Sequence, residues 1–443
     1  MYVQVIVAIF IAFGPERIPV RLGLEAEPVL ALMLVLVAVA LAPVPGFFLA
    51  GWVRRRLRSA VLSPAHVPVR WPLLGYRAFL LADFAAVIYL LNWSYFVNVT
   101  CRLDSVILVG ELLTFAPFVL MLLLAWVPLY RVEVMLRHGA WSLRDYVEFN
   151  LRQYVLFILA PFLVLVVLVD VWDMYVSHAA QIWLLDSGAV YPIYGVLAVG
   201  FYVASPLLLR YVWLTETLPD GPLRRKLDEL CRRARVGYSR ILVWNTLGGQ
   251  IVNACVSGSV RYLRYILLTD SLLLHLTTDE VTAVFGHEVG HVRRRHMLFY
   301  FMYVLAFLIV LMAPATERRI SFLGTGTGGQ VGEIVLGAAL LVLYWGVLFG
   351  YISRRFEREA DVEATQLTGN RFDFINALEK ISALGNRPRR ARSWRHFSIA
   401  NRVQFLLDMA EDPLVPAAHE RQVRVLKGLC VFLFLGAVLY LFL

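Results

Sequence analysis

The chain has 443 residues, of which 60% are hydrophobic and only 17% charged, and its mean hydropathy is +0.68. That balance excludes an ordinary soluble protein and describes an integral membrane one. The net charge of +10 does not point to nucleic acid, because the basic residues are mostly arginines in short loops between apolar runs, where the positive-inside effect puts them.

In chain order, the opening "MYVQVIVAIFIAFG" is apolar, lacks a basic leader region, and is read as a short span. Five fuller spans follow, Pro28 to Val53, Leu73 to Phe96, Val106 to Tyr130, Tyr154 to Val171 and Val190 to Trp213, each near the roughly 20 residues a bilayer core requires. The loops 52–71 and 130–153 are rich in arginine, whereas 171–190 has neither lysine nor arginine, so the former are assigned to the cytoplasm. Alternation then puts two polar stretches, Leu214 to His296 and Ser353 to about Lys427, on that same side, around the spans Met297 to Pro314 and Val331 to Ile352. Arg318 and Arg319, in the outer loop, run against the rule. A last span, Leu429 to Leu443, closes the chain. Asp83, Glu111 and Asp170 lie inside early spans and suggest a substrate-access cavity or a helix contact.

The expected organisation is a membrane region at 1–213, two halves of one catalytic domain at 214–297 and 353–427, a transmembrane hairpin at 298–352 between them, and a final segment at 428–443. The fold class is mainly α, a polytopic helical membrane protein with a split cytoplasmic α+β domain and a small sheet. "SRILVWNT", "QIVNACVSG" and "RYILLTD" read as two or three strands. Thr277 and Glu280 have capping-box spacing and open a helix that nothing stops before Met297, so it is expected to run on into the membrane. The four cysteines are scattered without a CxxC pair, which favours neither disulfides nor a thiolate metal site.

That helix carries "HEVGH". Residues i and i+4 differ by about 40° around a helix, so His287 and His291 offer imidazoles on one face, and Glu288 lies beside them. A catalytic zinc takes three protein ligands and keeps one position open, with a nearby carboxylate as general base. In "SRRFEREADVEATQL", Glu357 and Asp361 are again i, i+4; Glu357 can complete the site, and Asp361 suits the free ring N–H of a ligand histidine. Glu359 and Glu363 read as solvated carboxylates. His296 falls off the ligand face and reads as a cap or packing residue at the membrane surface. A metzincin is excluded, since position 294 is arginine. A site-2 intramembrane protease fits poorly, because the only similar string, "LPDG", precedes the histidines.

"HEVGH", the hairpin and "SRRFEREAD" together resemble the membrane-anchored zinc metallopeptidases that include HtpX-type proteases and type-1 CAAX prenyl proteases. The resemblance implies zinc, one ion per chain, held by His287, His291 and Glu357, with Glu288 catalytic. "NACVSG" is similar to the family's NAxxxG block and implies that Asn253, by itself a turn residue, borders the substrate cleft. "RHFSIANRV" resembles a third block, with Phe397 where proline is usual; it implies His396 in oxyanion stabilisation and Arg402 at the cleft and in the active-site network. The resemblance covers roughly 214–405. The expected function is endoproteolysis of membrane-associated proteins or peptides, as quality control or as CAAX-type processing, in a bacterial inner membrane with the site facing the cytoplasm. The expected partners are peptide substrates and the lipid bilayer, without nucleic acid. A non-proteolytic scaffold or transporter with a structural metal site is the alternative; it would normally need a fourth protein ligand.

Overall fold

The computed structural model describes residues 1–13, 27–58, 68–103, 106–137, 141–186, 189–247, 251–312, 336–337, 339–385, 388–391, 393–412 and 414–440. Among these, six helices are long and apolar enough to cross a membrane: Pro28–Arg58, Arg70–Leu90, Val109–Leu136, Leu143–Tyr175, Pro192–Val212 and Leu414–Tyr440. The chain is a polytopic helical membrane protein with a small mixed sheet. The opening segment forms a helix of 12 residues, Tyr2–Phe13, about 18 Å long against a hydrocarbon core of about 30 Å. This helix alone is too short to cross. The Arg318–Arg319 loop and the start of the span expected at 331–352 lie outside the described residues.

The chain divides into two compact units. The first, 1–198 with 208–213 and 247–249, is helical. Its core gathers on the long helix Val109–Arg137, where Phe115, Phe118, Met121 and Trp126 are fully buried. Glu111 sits in that helix's first turn, where the helix dipole favours a carboxylate. Asp170 accepts the Leu108 backbone N–H at 3.1 Å, so this acidic residue serves a contact between segments.

The second unit, 199–207, 214–246 and 250–443, holds the sheet. Its strands are β1 (Thr215–Thr217), β2 (Arg240–Trp244), β3 (Ala254–Ser257) and β4 (Tyr265–Thr269). Their spatial order is β1-β2-β4-β3, with β2 and β4 parallel and the outer pairs antiparallel. β4, the apolar run "YILLT", is buried throughout, and β3 forms an edge. The helices are α1 (Pro222–Ala234), α2 (Asp270–His275), α3 (Thr278–Arg293), α4 (His296–Met312), α5 (Gly350–Thr368), α6 (Arg371–Leu384), α7 (Ile399–Glu411) and α8 (Leu414–Tyr440).

Thr277 and Glu280 close a complete capping box at the start of α3. The helix does not run on into the membrane as expected. It stops at Arg293, Arg295 takes a left-handed φ of 57°, and a new helix starts at His296. No glycine or proline marks the break. The strain of a non-glycine residue in that region, about 1 kcal/mol or more, is offset by the buried contacts His296 then makes. α8 starts fifteen residues before the expected span, at Leu414, and packs through Val423 and Cys430 with Tyr303, Ile352 and Phe356.

α3 and α5 approach closely through small residues. A Cβ on Gly290 would stand 2.9 Å from Glu363 Cβ and 3.3 Å from the Ala360 backbone, and one on Gly286 would stand 3.5 Å from Ala364 Cα. The close approach of the histidine helix to the helix carrying Glu357 therefore requires glycine at position 290, while position 286 would meet only ordinary contact.

Candidate metal centre

Nε2 of His287 and Nε2 of His291 are 3.2 Å apart. Glu357 Oε2 lies 3.6 Å from the first, and Oε1 lies 3.6 Å from the second. These donors all fall within 4.8 Å of one another. Ligands of one tetrahedral zinc, at bond lengths near 2.05 Å, sit about 3.3–3.4 Å from each other. The spacing fits a single ion.

The proton inventory fits as well. Nδ1 of His287 lies 2.9 Å from Asp361 Oδ1, with the N–H direction off the line to that oxygen. Asp361 is fully buried and is gripped by the Arg402 fork at 2.9 Å and 2.5 Å. A carboxylate so held can only accept, so the His287 proton belongs on Nδ1 and Nε2 is bare. Nδ1 of His291 meets Nδ1 of His296 at 2.8 Å, and Nε2 of His296 meets Glu359 Oε2 at 2.6 Å. Glu359 also accepts from Lys427 at 2.8 Å. Because Lys427 only donates and Glu359 only accepts, a neutral His296 carries its proton on Nε2 and takes one from His291 Nδ1–H. His291 Nε2 is then bare too. Two bare nitrogens and a carboxylate converge on one point, which is the donor set a divalent cation needs.

Electrostatics agree. Burial would lower His287, but Asp361 and Glu357 outweigh it and push it up to about 9. Burial likewise opposes ionisation of Glu357, yet His287 and His396 hold it well below the usual carboxylate range. Burial drives His291 well below the usual histidine range. Glu288 is pushed up to about 7 by burial, with Glu357 adding to the rise and His287 opposing it. Its Oε2 accepts the Val256 N–H of edge strand β3 at 3.1 Å.

The remaining expected residues are placed as follows. His396 Nδ1 lies 2.9 Å from Glu357 Oε2 with its side chain 45% exposed, so the ring can reach both ligand and solvent. Asn253 is exposed at the entry to β3, its backbone pinned to Thr269 at 3.0 Å. Arg402 is buried, with its fork on Asp361, the carboxylate that faces His287 Nδ1. Glu359 and Glu363 are not solvated surface groups. Glu359 is 6% exposed and Glu363 only 1%, the latter paired with Arg293 at 2.9 Å and Arg294 at 2.5 Å. His296 is fully buried and stacked on Phe356 at 4.4 Å, in contact with a proposed ligand rather than at the surface. The sequence signal for it was faint, because in an unbroken helix position 296 would point about 140° away from His291.

The fold and site define a helical membrane protein with an HExxH helix whose histidines, with Glu357, could hold a metal ion. Residues 217–410 match Peptidase family M48. The chain is 36% identical over 135 residues to the protease HtpX homolog of Methanopyrus kandleri, covering 30% of this chain and 42% of that one. It is 30% identical over 187 residues to the protease HtpX of Xanthomonas oryzae pv. oryzae, covering 38% and 60% respectively. The chain thus spans about half the length of these curated relatives. A solved structure, that of S. mikatae Ste24p, aligns with a TM-score of 0.48 at 16% identity over 84% of this chain and 98% of its own.

Proposed function

We propose that the chain is an integral membrane zinc endopeptidase acting on membrane-associated polypeptides. The observation that carries this reading is the convergence of His287, His291 and Glu357 at tetrahedral spacing with Glu288 alongside. These three would hold one zinc ion, which when bound supplies Lewis acidity toward a peptide carbonyl and acidifies water. Glu288, half-buried beside them and raised above the usual carboxylate range by burial, takes the proton of the attacking water and returns it to the departing amine. Asp361 and His296 orient the two imidazoles, and His396 steadies Glu357 from the open side. The free edge of β3, whose Val256 N–H already points away from the sheet toward Glu288, suits a substrate lying extended as an added strand from Asn253 onward. Backbone pairing of that kind tolerates many side chains, which favours quality-control proteolysis over a narrow C-terminal motif.

The proposed organisation keeps a membrane region at 1–213, peptidase halves at 214–297 and 353–427 around the hairpin 298–352, and a final segment at 428–443, supported by the family match over 217–410. The arginine-rich loops support a site on the cytoplasmic side of a plasma membrane. The test is Glu288→Gln: zinc content of the purified protein should stay at wild-type level while cleavage of casein and of a model membrane substrate disappears. Persistent phenanthroline-sensitive cleavage by the variant would reject the mechanism.

A further inference from the structure

A second polar site lies in the same unit, away from the metal centre. A cavity of about 490 Å³ is bounded by one stripe from each of three helices: Arg355 and Arg358 of α5, Asn401, Gln404 and Asp408 of α7, and His419 and Gln422 of α8. Each stripe has i, i+3, i+4 or i+7 spacing, the spacing at which helices ordinarily turn apolar residues toward one another. Here the facing residues are largely polar and line an open groove, with Asn401, Gln404 and Gln422 exposed to solvent.

Its cations lie against aromatic faces, with the charges of Asp361 and Asp408 near Arg358. Arg358 lies over Phe397 at 4.0 Å and over Phe405 at 4.7 Å; Arg355 lies over Tyr351 at 5.1 Å and Phe397 at 5.9 Å. The Nε atoms of both arginines are buried with no hydrogen-bond partner among the described residues. The one acid of the lining, Asp408, is engaged by Gln404 at 2.7 Å. Two like charges one turn apart repel, and aromatic faces fix their planes without quenching them. Phe397, the residue that departs from the family pattern, is the platform both share.

The location narrows the ligand. Arg355 is three residues, about 5 Å of helix, past the apolar run that ends at Ile352, and Gln422 is about 10 Å before the apolar run that starts at Leu429. Headgroups occupy roughly 5–8 Å on each side of the hydrocarbon core. Paired guanidiniums present forked donors that match phosphate oxygens, and basic pockets between membrane helices at this depth hold acidic headgroups. We infer that Arg355 and Arg358 form a phosphate-binding site, with an anionic phospholipid headgroup as its occupant.

The test uses the full-length protein in detergent, titrated with short-chain phosphatidylglycerol and followed by native mass spectrometry, with phosphatidylcholine and inorganic phosphate as parallel arms. The expected result is one tightly held phosphatidylglycerol, bound about tenfold more weakly by Arg355→Gln/Arg358→Gln and not replaced by phosphatidylcholine. Inorganic phosphate that competes fully at similar concentration would reassign the site to a soluble phosphate and overturn the lipid. Equal binding by wild type and the double variant would overturn the site itself. Should the variant fail to fold, phosphatidylglycerol must shield Arg355 and Arg358 of the wild type from phenylglyoxal; unshielded modification of both is the overturning result.

Discussion

Replacing His296 with phenylalanine isolates the hydrogen-bonded chain behind His291. The ring stack on Phe356 at 4.4 Å can be kept, and Glu359 keeps Lys427 at 2.8 Å with Arg294 at 3.6 Å, so no charge is orphaned. What is lost is the acceptor 2.8 Å from His291 Nδ1. That leaves a buried donor unpaired, a penalty of about 1–3 kcal/mol, and frees the imidazole to turn or to swap tautomer. Loss of such an outer partner typically weakens metal binding about 10- to 100-fold, in line with about 1.4–2.8 kcal/mol. The assay is zinc competition against a calibrated chelator, with the visible spectrum of the cobalt-substituted protein as a second readout and the thermal midpoint of the metal-free protein as a control. The metal-free midpoint should fall by no more than the unpaired donor's penalty of about 1–3 kcal/mol accounts for, while affinity falls and the cobalt bands shift. His296→Gln, whose amide oxygen can accept the same proton, should recover part of the loss. Zinc affinity within twofold of wild type in His296→Phe would refute the proton inventory on which the chain rests.

Gly290→Ala should destabilise the second unit by about 1–3 kcal/mol through overpacking, since its Cβ would meet Glu363 Cβ at 2.9 Å, whereas Gly286→Ala, with 3.5 Å to Ala364, should be near neutral; thermal unfolding of the pair in detergent reads the contrast. Burial opposes ionisation of Glu359, but His296 and Lys427 bring it down to about 2. A depressed carboxyl stabilises above its unfolded value near 4.5 and loses that contribution as pH falls toward about 2, so the stability gap between wild type and Glu359→Gln, at most about 3 kcal/mol, should close over that window and be constant above it. Asp361→Asn should cost about 3–5 kcal/mol, because it strands the buried Arg402 guanidinium, and Asp361→Asn/Arg402→Met should recover much of that stability in denaturation experiments without restoring zinc affinity.

The parts of the site that could be read in the sequence are those set by local periodicity. His287 with His291 and Glu357 with Asp361 are one-turn pairs on helices, and Thr277 with Glu280 announces where one of those helices starts. The parts hidden from it depend on partners far along the chain. Glu359 and Glu363 look like surface acids until Lys427, Arg293 and Arg294 are brought to them. His296 joins the centre only because the chain breaks at Arg294 and Arg295, a break paired with no glycine or proline. β1 is three residues long and too short for any alternation to register. The spans were legible from composition, but their ends were not: α8 begins at Leu414, and its first turns bury His419 against Phe405 and the Arg355 carbonyl, which a hydropathy threshold does not detect.

Metal analysis of the purified full-length protein, wild type beside Glu357→Gln, tests the central claim most directly. One zinc per wild-type chain and near-complete loss of it in the variant, with the helical signal of the protein retained, is the predicted result. Full zinc occupancy in Glu357→Gln would mean that the ion is held elsewhere and would contradict the account.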